Sequence, residues 1–198
     1  MKRLLPLFLL ITLCCSGLYA QNADTVTTDT REPFYATNQM GDKYIKMSVS
    51  PTFPLGFFNQ NGDISMYVGG LFGLGFHIFL TDNFSVGGDA GFGFNITVGS
   101  NVFNYIPIVA TATWQFQYKK WEFPLTAGVG FAWELYNGYM YWPGLILEAQ
   151  AGAQYRIDSN WAAGGEITYM FMPQINQDPS KSAIGHFIDV SLLARYYF

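Results

Sequence analysis

Charge is scarce in this sequence. Asp, Glu, Lys and Arg together make up 12% of the 198 residues, whereas Phe, Trp and Tyr reach 18%. A soluble domain usually carries about 25% charged residues, so the composition argues against a molecule whose whole surface faces water. The mean hydropathy of +0.14 is in turn too low for a bundle of membrane-spanning helices. A β-barrel satisfies both limits, because half of each strand can face lipid while the other half faces a polar interior.

Cysteine is almost absent, since the chain has only Cys14 and Cys15. Both lie in a segment with the three parts of a secretory signal peptide, namely a basic start, the apolar stretch Leu4–Leu13 and a cleavage point after Ala20. Cleavage there leaves a mature chain without cysteine, and therefore without disulfides. Lipidation of either cysteine is the alternative, although Leu13 precedes Cys14 where a small residue is expected.

Basic residues are also few, with 10 Lys and Arg against 14 Asp and Glu. Removal of the signal peptide takes away Lys2 and Arg3 and leaves a net charge of −6. This balance excludes nucleic acid as a partner, because phosphate binding needs clustered Lys and Arg. The two histidines, His77 and His186, stand in no catalytic or metal-binding motif. We therefore predict a protein that is not an enzyme, with no catalytic residues, no metal and no cofactor.

Apolar and polar residues alternate along eight segments, and a period of two is typical of strands. Residues 64–81 form the most helix-like segment, yet their apolar side chains also fall mainly on one parity. Tight polar turns alternate with longer connections, as in outer-membrane barrels. We predict an all-β fold, an eight-stranded antiparallel transmembrane up-and-down β-barrel, with strands at about 43–54, 65–80, 84–98, 105–118, 121–136, 145–157, 161–172 and 185–198.

The predicted organisation is a signal peptide at 1–20, a flexible periplasmic segment at 21–42 and the barrel at 43–198. An even number of strands places both termini of the barrel on the periplasmic side. Three prolines count against this fold, because proline lacks an amide donor and each barrel strand is paired on both sides. They are Pro51, which fits least well, Pro107 and Pro124.

Nearly every charge within the predicted strands falls on the parity opposite the apolar one. A soluble ligand-binding barrel has the reverse arrangement, so we expect the apolar parity to face lipid. The interior charges are either a packed, ion-paired filling, as is usual in so narrow a barrel, or the lining of a cation-preferring pore. We expect Arg156 and Arg195 to neutralise the central carboxylates. The predicted interior charge network comprises Lys46, Asp89, Glu134, Glu148, Arg156, Glu166, Asp189 and Arg195.

Aromatic residues recur where strands begin after tight turns and where the last strand ends. We predict that these rings form a girdle at the inner headgroup level. Its members are Phe84, Trp121, Trp161, Tyr196 and Phe198. A second group lies around the predicted outer loop 137–144 and either packs that loop or forms a binding lip for a hydrophobic ligand or host surface. This group comprises Tyr136, Tyr139, Tyr141 and Trp142.

The junctions D-N-F-S-V-G and S-N-W-A-A-G-G-E and the terminal A-R-Y-Y-F resemble the small outer-membrane β-barrel superfamily, with its OmpW-like and OmpA/OmpX-like branches. The resemblance covers residues 43–198. It implies location in the outer membrane of a diderm bacterium, contact with outer-membrane lipid and insertion by the barrel-assembly machinery through the C-terminal strand.

The same resemblance implies a function. OmpW-like members are associated with passage of small hydrophobic molecules through a lateral opening, which suggests a passive, porin-like carrier for ions or small, including hydrophobic, solutes. OmpX-like members are associated with adhesion. The alternative is therefore a sealed structural or host-interaction surface barrel without pore activity.

Overall fold

The computed structural model describes residues 38–59, 62–63, 66–97, 101–136, 139–174 and 183–198. Nine strands are present in these ranges, one of them only two residues long. In chain order they are β1 (Lys43–Asn59), β2 (Gly62–Asp63), β3 (Gly69–Thr81), β4 (Phe84–Ile96), β5 (Val102–Tyr118), β6 (Trp121–Tyr136), β7 (Tyr139–Arg156), β8 (Trp161–Gln174) and β9 (Ala183–Tyr197). Within these ranges no helix has the length and hydropathy needed to span a bilayer.

The eight long strands form a closed antiparallel barrel. From β3 to β9 each strand pairs with the next along the chain, and β1 pairs with β3 on one side and with β9 on the other. The short strand β2 only extends the end of β1, where Asn59 pairs with Gly62. The predicted fold class, an eight-stranded up-and-down barrel, is therefore confirmed.

The barrel has two different ends. At the turn end, short connections at 82–83, 119–120 and 157–160 join neighbouring strands, and here β1 begins and β9 ends. Lys119 has a φ of 55°, a backbone conformation typical of the tightest hairpin turns. The opposite end is called the loop end below.

Two strands extend five or six residues beyond the predicted bounds, whereas β5, β8 and β9 extend by two or three residues at the loop end and β3 begins at Gly69 instead of residue 65. β1 continues past Pro54 to Asn59, with a register shift between Pro54 and Gly56. β7 begins at Tyr139 instead of residue 145, so the predicted long connection 137–144 is wrong. The aromatic residues in this stretch have high β-propensity. A register shift between Ala132 and Glu134 interrupts the pairing of β6 with β7, which then continues to the pair Tyr136 and Tyr139.

The three prolines are accommodated by interruptions in single ladders. Pro51 pairs in register with Gly70 of β3 but has no ladder partner on β9. Pro107 likewise pairs with Ala132 of β6 and leaves a gap towards β4. Pro124 pairs with Gln115 of β5 and leaves a gap towards β7. Each proline therefore interrupts pairing with only one of its two neighbouring strands. This is the strand towards which an N–H group at that position would point, and proline has no N–H group.

Side chains alternate between the two faces of the wall as predicted. On β5, Trp114 is 48% exposed on the outer surface, whereas its neighbours Thr113 and Gln115 are each 1% exposed. The buried charged residues lie inside the barrel, and the outer surface carries most of the large apolar side chains. The core of this molecule is thus a narrow interior in which charged groups must find partners.

Candidate functional site

The interior at the turn end is closed by a cluster of charged and aromatic side chains, called the turn-end cluster. Arg156 donates from Nε to Glu122 Oε1 at 2.7 Å, and its guanidinium lies 3.6 Å from the ring centre of Tyr197. Tyr197 donates its hydroxyl to the other oxygen of Glu122 at 2.6 Å. Arg156 also binds the side-chain oxygen of Asn38, which is buried ahead of β1. Every charge in this cluster therefore has a partner.

Arg195 lies in the next layer of the turn-end half. It donates to Gln115 Oε1 at 2.8 Å and lies 4.5 Å from the ring centre of Tyr44. The ring of Tyr44 is stacked on His77 with centroids 4.6 Å apart. The prediction that Arg156 and Arg195 neutralise the central carboxylates is wrong for Arg156, which pairs with Glu122, whereas Arg195 interacts electrostatically with Glu166 although its hydrogen bond goes to Gln115. Their side chains extend towards the turn end, where Glu122 and Gln115 lie.

The partner of the central carboxylates is Lys46. Its Nζ lies 2.9 Å from Asp89 Oδ2 and 3.5 Å from Glu166 Oε1. It also donates to Gln150 at 3.2 Å, and Gln150 donates to Glu148 at 2.9 Å. A cavity of about 40 Å³ lies here, lined among others by Lys46, Asp89, Glu148, Glu166 and Asp189. This central layer brings together five of the eight predicted network residues.

The interior changes character towards the loop end, where apolar side chains fill it. This apolar cluster comprises Phe103, Tyr105, Val109, Ala132, Ile146, Met170, Met172 and Phe187. Glu134 lies among them on β6, directly opposite Tyr105 of β5. It is 1% exposed, and neither of its carboxylate oxygens has a hydrogen-bond partner among the described residues. Among the described residues, none of the interior ion pairs includes Glu134.

A groove on the outer surface lies against the same part of the wall. It has a volume of about 460 Å³ and is lined by Phe92, Asn104, Tyr105, Ile106, Trp133, Glu134 and Leu135. The gap in the ladder between β4 and β5 at Pro107 leaves Phe92 and Ile106 unpaired with each other at this groove, although each is paired with its other neighbouring strand. On the inner side, a Cβ added to Gly93 would lie 2.2 Å from Tyr105 Cζ, so the Tyr105 ring covers β4 closely beside the gap.

The five rings of the predicted girdle lie on the outer surface at the turn end. Trp161 contacts Tyr196 with centroids 5.0 Å apart, and Tyr196 contacts Phe198 at 6.1 Å. Trp121 is T-shaped against Tyr155 at 5.4 Å, a contact that the sequence pattern did not indicate. Phe84 lies 6.2 Å from Trp114. The girdle residues therefore form separate pairs and one chain of three rings along this rim.

Other predicted residues can be placed briefly. His186 is on the outer surface, where its Nδ1 lies 2.7 Å from the Tyr169 hydroxyl. His77 faces the interior and its Nε2 lies 2.9 Å from Thr111 Oγ1. The side chains of the predicted binding lip lie outside the described residues, and so does the predicted signal peptide. That lip comprises Tyr136, Tyr139, Tyr141 and Trp142.

Sequence reasoning missed the neutral partners that complete the interior. Gln115, Gln150 and Tyr197 bind the charged groups, but alone they looked like ordinary inward-facing residues. The signal that could have identified them is their parity, which matches that of the interior charges. Nothing in the sequence indicated the outer groove, because its residues come from three strands and look like other lipid-facing side chains.

The chain has relatives that sequence comparison identifies. A protein-family model matches residues 22–196. An uncharacterized protein of Treponema pallidum (strain Nichols) is 36% identical over 130 residues, which are 66% of this chain and 59% of that protein. A second one from the same organism is 27% identical over 152 residues, 69% of this chain and 52% of that protein. The chain thus spans between half and three-fifths of the length of these relatives.

Solved structures with the same fold include outer-membrane proteins. Neisserial surface protein A has a TM-score of 0.65 at 14% identity, with 80% of this chain and 99% of that chain covered. OprG from Pseudomonas aeruginosa has a TM-score of 0.60 at 10% identity, with 83% and 99% covered. AlkL in lipid bilayers has a TM-score of 0.53 at 12% identity, with 90% and 97% covered. Together with the closed eight-stranded barrel, these matches establish that the chain has the fold of the small outer-membrane β-barrel proteins.

Proposed function

We propose that this barrel is a passive, non-enzymatic carrier for small hydrophobic solutes, which leave the interior sideways through the wall between β4 and β5. The observation that carries this proposal is the apolar groove of about 460 Å³ beside the ladder gap at Pro107. Pockets that bind small molecules usually have 300–1,000 Å³ and mainly apolar walls. The groove is therefore large enough for such a solute.

The distribution of apolar and charged side chains in the interior favours a lateral route for the solute over a route along the barrel axis. The apolar cluster in the loop-end half offers an entering solute an environment like its own. Between the apolar cluster and the turn end, the central layer around Lys46 and the turn-end cluster contain charged groups in contact with one another. A hydrophobic solute gains no favourable contacts by displacing these ion pairs. The lateral step needs only movement of the Tyr105 ring and opening of the seam between β4 and β5, where the ladder is already interrupted. The filled interior also argues against ions as the transported species.

The position of the groove along the barrel fits this route. Trp121 and Trp133 are twelve positions apart on β6, which corresponds to about 30 Å along the axis of a tilted strand. We infer that the turn end is periplasmic, with the predicted girdle at the inner headgroup level, and that the groove lies in the outer leaflet. The proposal also includes insertion by the barrel-assembly machinery through β9.

A disulfide across the seam tests the lateral step. Cysteines at Phe92 and Ile106, which face each other at the gap, would lock the two strands together when oxidised. The matched control replaces Ala90 and Ile108, the next outward pair, where the ladder is intact. The mature chain is predicted to have no other cysteine. Uptake of the fluorescent apolar probe N-phenylnaphthylamine by bacterial cells that carry each variant in the outer membrane is the measurement.

We expect the oxidised Phe92→Cys/Ile106→Cys variant to take up the probe no faster than cells without the barrel, and a reductant to restore uptake. The oxidised Ala90→Cys/Ile108→Cys variant should behave like the wild type. Equal uptake by both oxidised variants would refute the lateral route while leaving a carrier function. If the wild-type barrel gives no uptake at all, the carrier proposal fails.

One observation favours the alternative, a sealed surface barrel. β6 and β7 have 16 and 18 residues, whereas about 9–11 residues suffice for a strand to cross the membrane. Their loop-end portions therefore extend beyond the apolar band and present a paired β-hairpin to the exterior. Binding of host material by cells that carry the barrel, lost when this hairpin is shortened and combined with no probe uptake, would support this alternative.

A further inference from the structure

The central cavity contains more negative charge than its basic residues neutralise. Four carboxylates line it, those of Asp89, Glu148, Glu166 and Asp189, against the single ammonium of Lys46. Arg156 is paired with Glu122, and Arg195, which donates to Gln115, also interacts electrostatically with Glu166. The formal charges of the four carboxylates, Lys46 and Arg195 therefore leave an excess of −2, and protonation of His77, 3.7 Å from Asp89 Oδ1, would still leave −1.

Several oxygens around this cavity have few partners or none. Asp189 is 0% exposed, and the neighbouring hydroxyl of Thr52 is the one side-chain donor that interacts with its carboxylate among the described residues. Asp89 Oδ1 and Glu166 Oε2 have no hydrogen-bond partner in this part of the chain. A buried charge without a partner costs several kcal/mol, so a barrel that keeps these groups ionised needs a further positive charge inside the cavity.

The chemistry of the lining selects the kind of cation. All of the free groups are oxygens, which suit hard cations. In the described part of the chain, however, no three acidic, His or Cys side chains converge closely enough to hold a metal ion directly. The cavity of about 40 Å³ has room for a small number of water molecules, since each needs about 10–15 Å³ by this measure. These facts favour an ion that keeps part of its water and contacts only one or two carboxylates.

We propose that the central cavity binds one partly hydrated alkali cation, Na⁺ or K⁺, between Asp189 and the carboxylates around Lys46. The cation supplies the positive charge that the side chains lack. Gln150, which already connects Lys46 with Glu148, and the neutral hydroxyls of Ser191 and Thr168 in the lining complete its surroundings. Gly91 and Pro107 also line the cavity, so the site lies beside the ladder gap of the proposed lateral route, but its test does not depend on that route.

Thermal unfolding of the refolded barrel in detergent micelles tests the site. Na⁺ or K⁺ is titrated against N-methyl-D-glucamine, a cation too large for the cavity, at constant ionic strength and pH. We expect a saturable rise in Tm of about 3–5 °C at tenfold excess over Kd. Asp189→Asn should abolish the saturable rise, and Asp82→Asn, at an exposed turn position, should retain it. Glu148→Gln serves as a second variant if Asp189→Asn does not refold, and should weaken the response.

Two results would overturn the proposal. An equal effect of the small and large cations on wild-type Tm would mean that the carboxylates are neutralised by protons or that salt acts only by screening. An undiminished response of Asp189→Asn would place any bound cation elsewhere. A variant Asp189→Asn that is more stable than the wild type without alkali cations, and insensitive to them, would support the site most directly.

Discussion

Two glutamates on the same strand differ in how the barrel accommodates them. Glu122 and Glu134 are both on β6 and both almost fully buried, at 0% and 1% exposure. Glu122, in the turn-end half, binds Arg156 and Tyr197 through its two oxygens. Glu134, in the loop-end half, is surrounded by apolar side chains and has no described partner.

The two halves of the interior therefore differ in how they compensate buried charge. In the turn-end half Glu122 and Arg156 are paired, and Arg195 has Gln115 and the ring of Tyr44 as partners, which makes that half a rigid base for the barrel. In the loop-end half an unpaired acid and an interrupted ladder occur together, and such departures from good packing are common at functional sites. If the proposed lateral route is correct, stability and function lie at opposite ends of one narrow interior.

Loss of a partner in the turn-end half should have the largest effect. Arg156→Met leaves Glu122 buried beside a neutral side chain, and breaking a buried ion pair in this way costs about 3–5 kcal/mol. Urea unfolding of the refolded barrel in lipid vesicles measures the change in the free energy of unfolding. A cost below about 1 kcal/mol, the usual value for an exposed pair, would mean that the turn-end cluster is not a rigid base.

A second prediction concerns the inward and outward faces on which the comparison depends. Ala112→Arg on the outer surface of β5 should cost about 2–4 kcal/mol, because it places a charge against lipid near mid-strand. Thr111→Ser, one residue away and inward, keeps the hydroxyl that contacts His77 and should cost less than about 1 kcal/mol. The same unfolding measurement applies. Equal costs would contradict the assignment of the faces.

The smallest effect is expected in the loop-end half. Glu134→Gln keeps the size of the side chain and removes a buried charge that has no described partner, so unfolding should be unchanged within about 1 kcal/mol or require more urea. Glu122→Gln is the matched control on the same strand and should be clearly destabilising. Similar losses at both positions would remove the contrast between the two halves.

The parts of this fold that depend on local patterns were predictable from sequence. A period of two assigns the face of each residue independently of its neighbours in space, so the inward position of Lys46 and Asp89 followed directly. Their pairing did not, because Lys46 on β1 contacts Gln150 on β7 and Glu166 on β8 across the interior. Such contacts depend on the stagger of the whole barrel, which no local segment encodes. The same holds for the groove, which three strands build jointly.

The close contact between Tyr105 and Gly93 has a consequence for how this interior can vary. The ring occupies the space that a side chain on β4 would need, since all three atoms nearest to a Cβ added at Gly93 belong to the Tyr105 side chain. A larger residue at Gly93 is tolerated only if Tyr105 is replaced by a smaller residue. We therefore expect a substitution to a larger residue inside the barrel to be accompanied by a substitution to a smaller residue at the side chain it contacts. The free width of the interior then depends on the volumes of these side chains as well as on the number of strands.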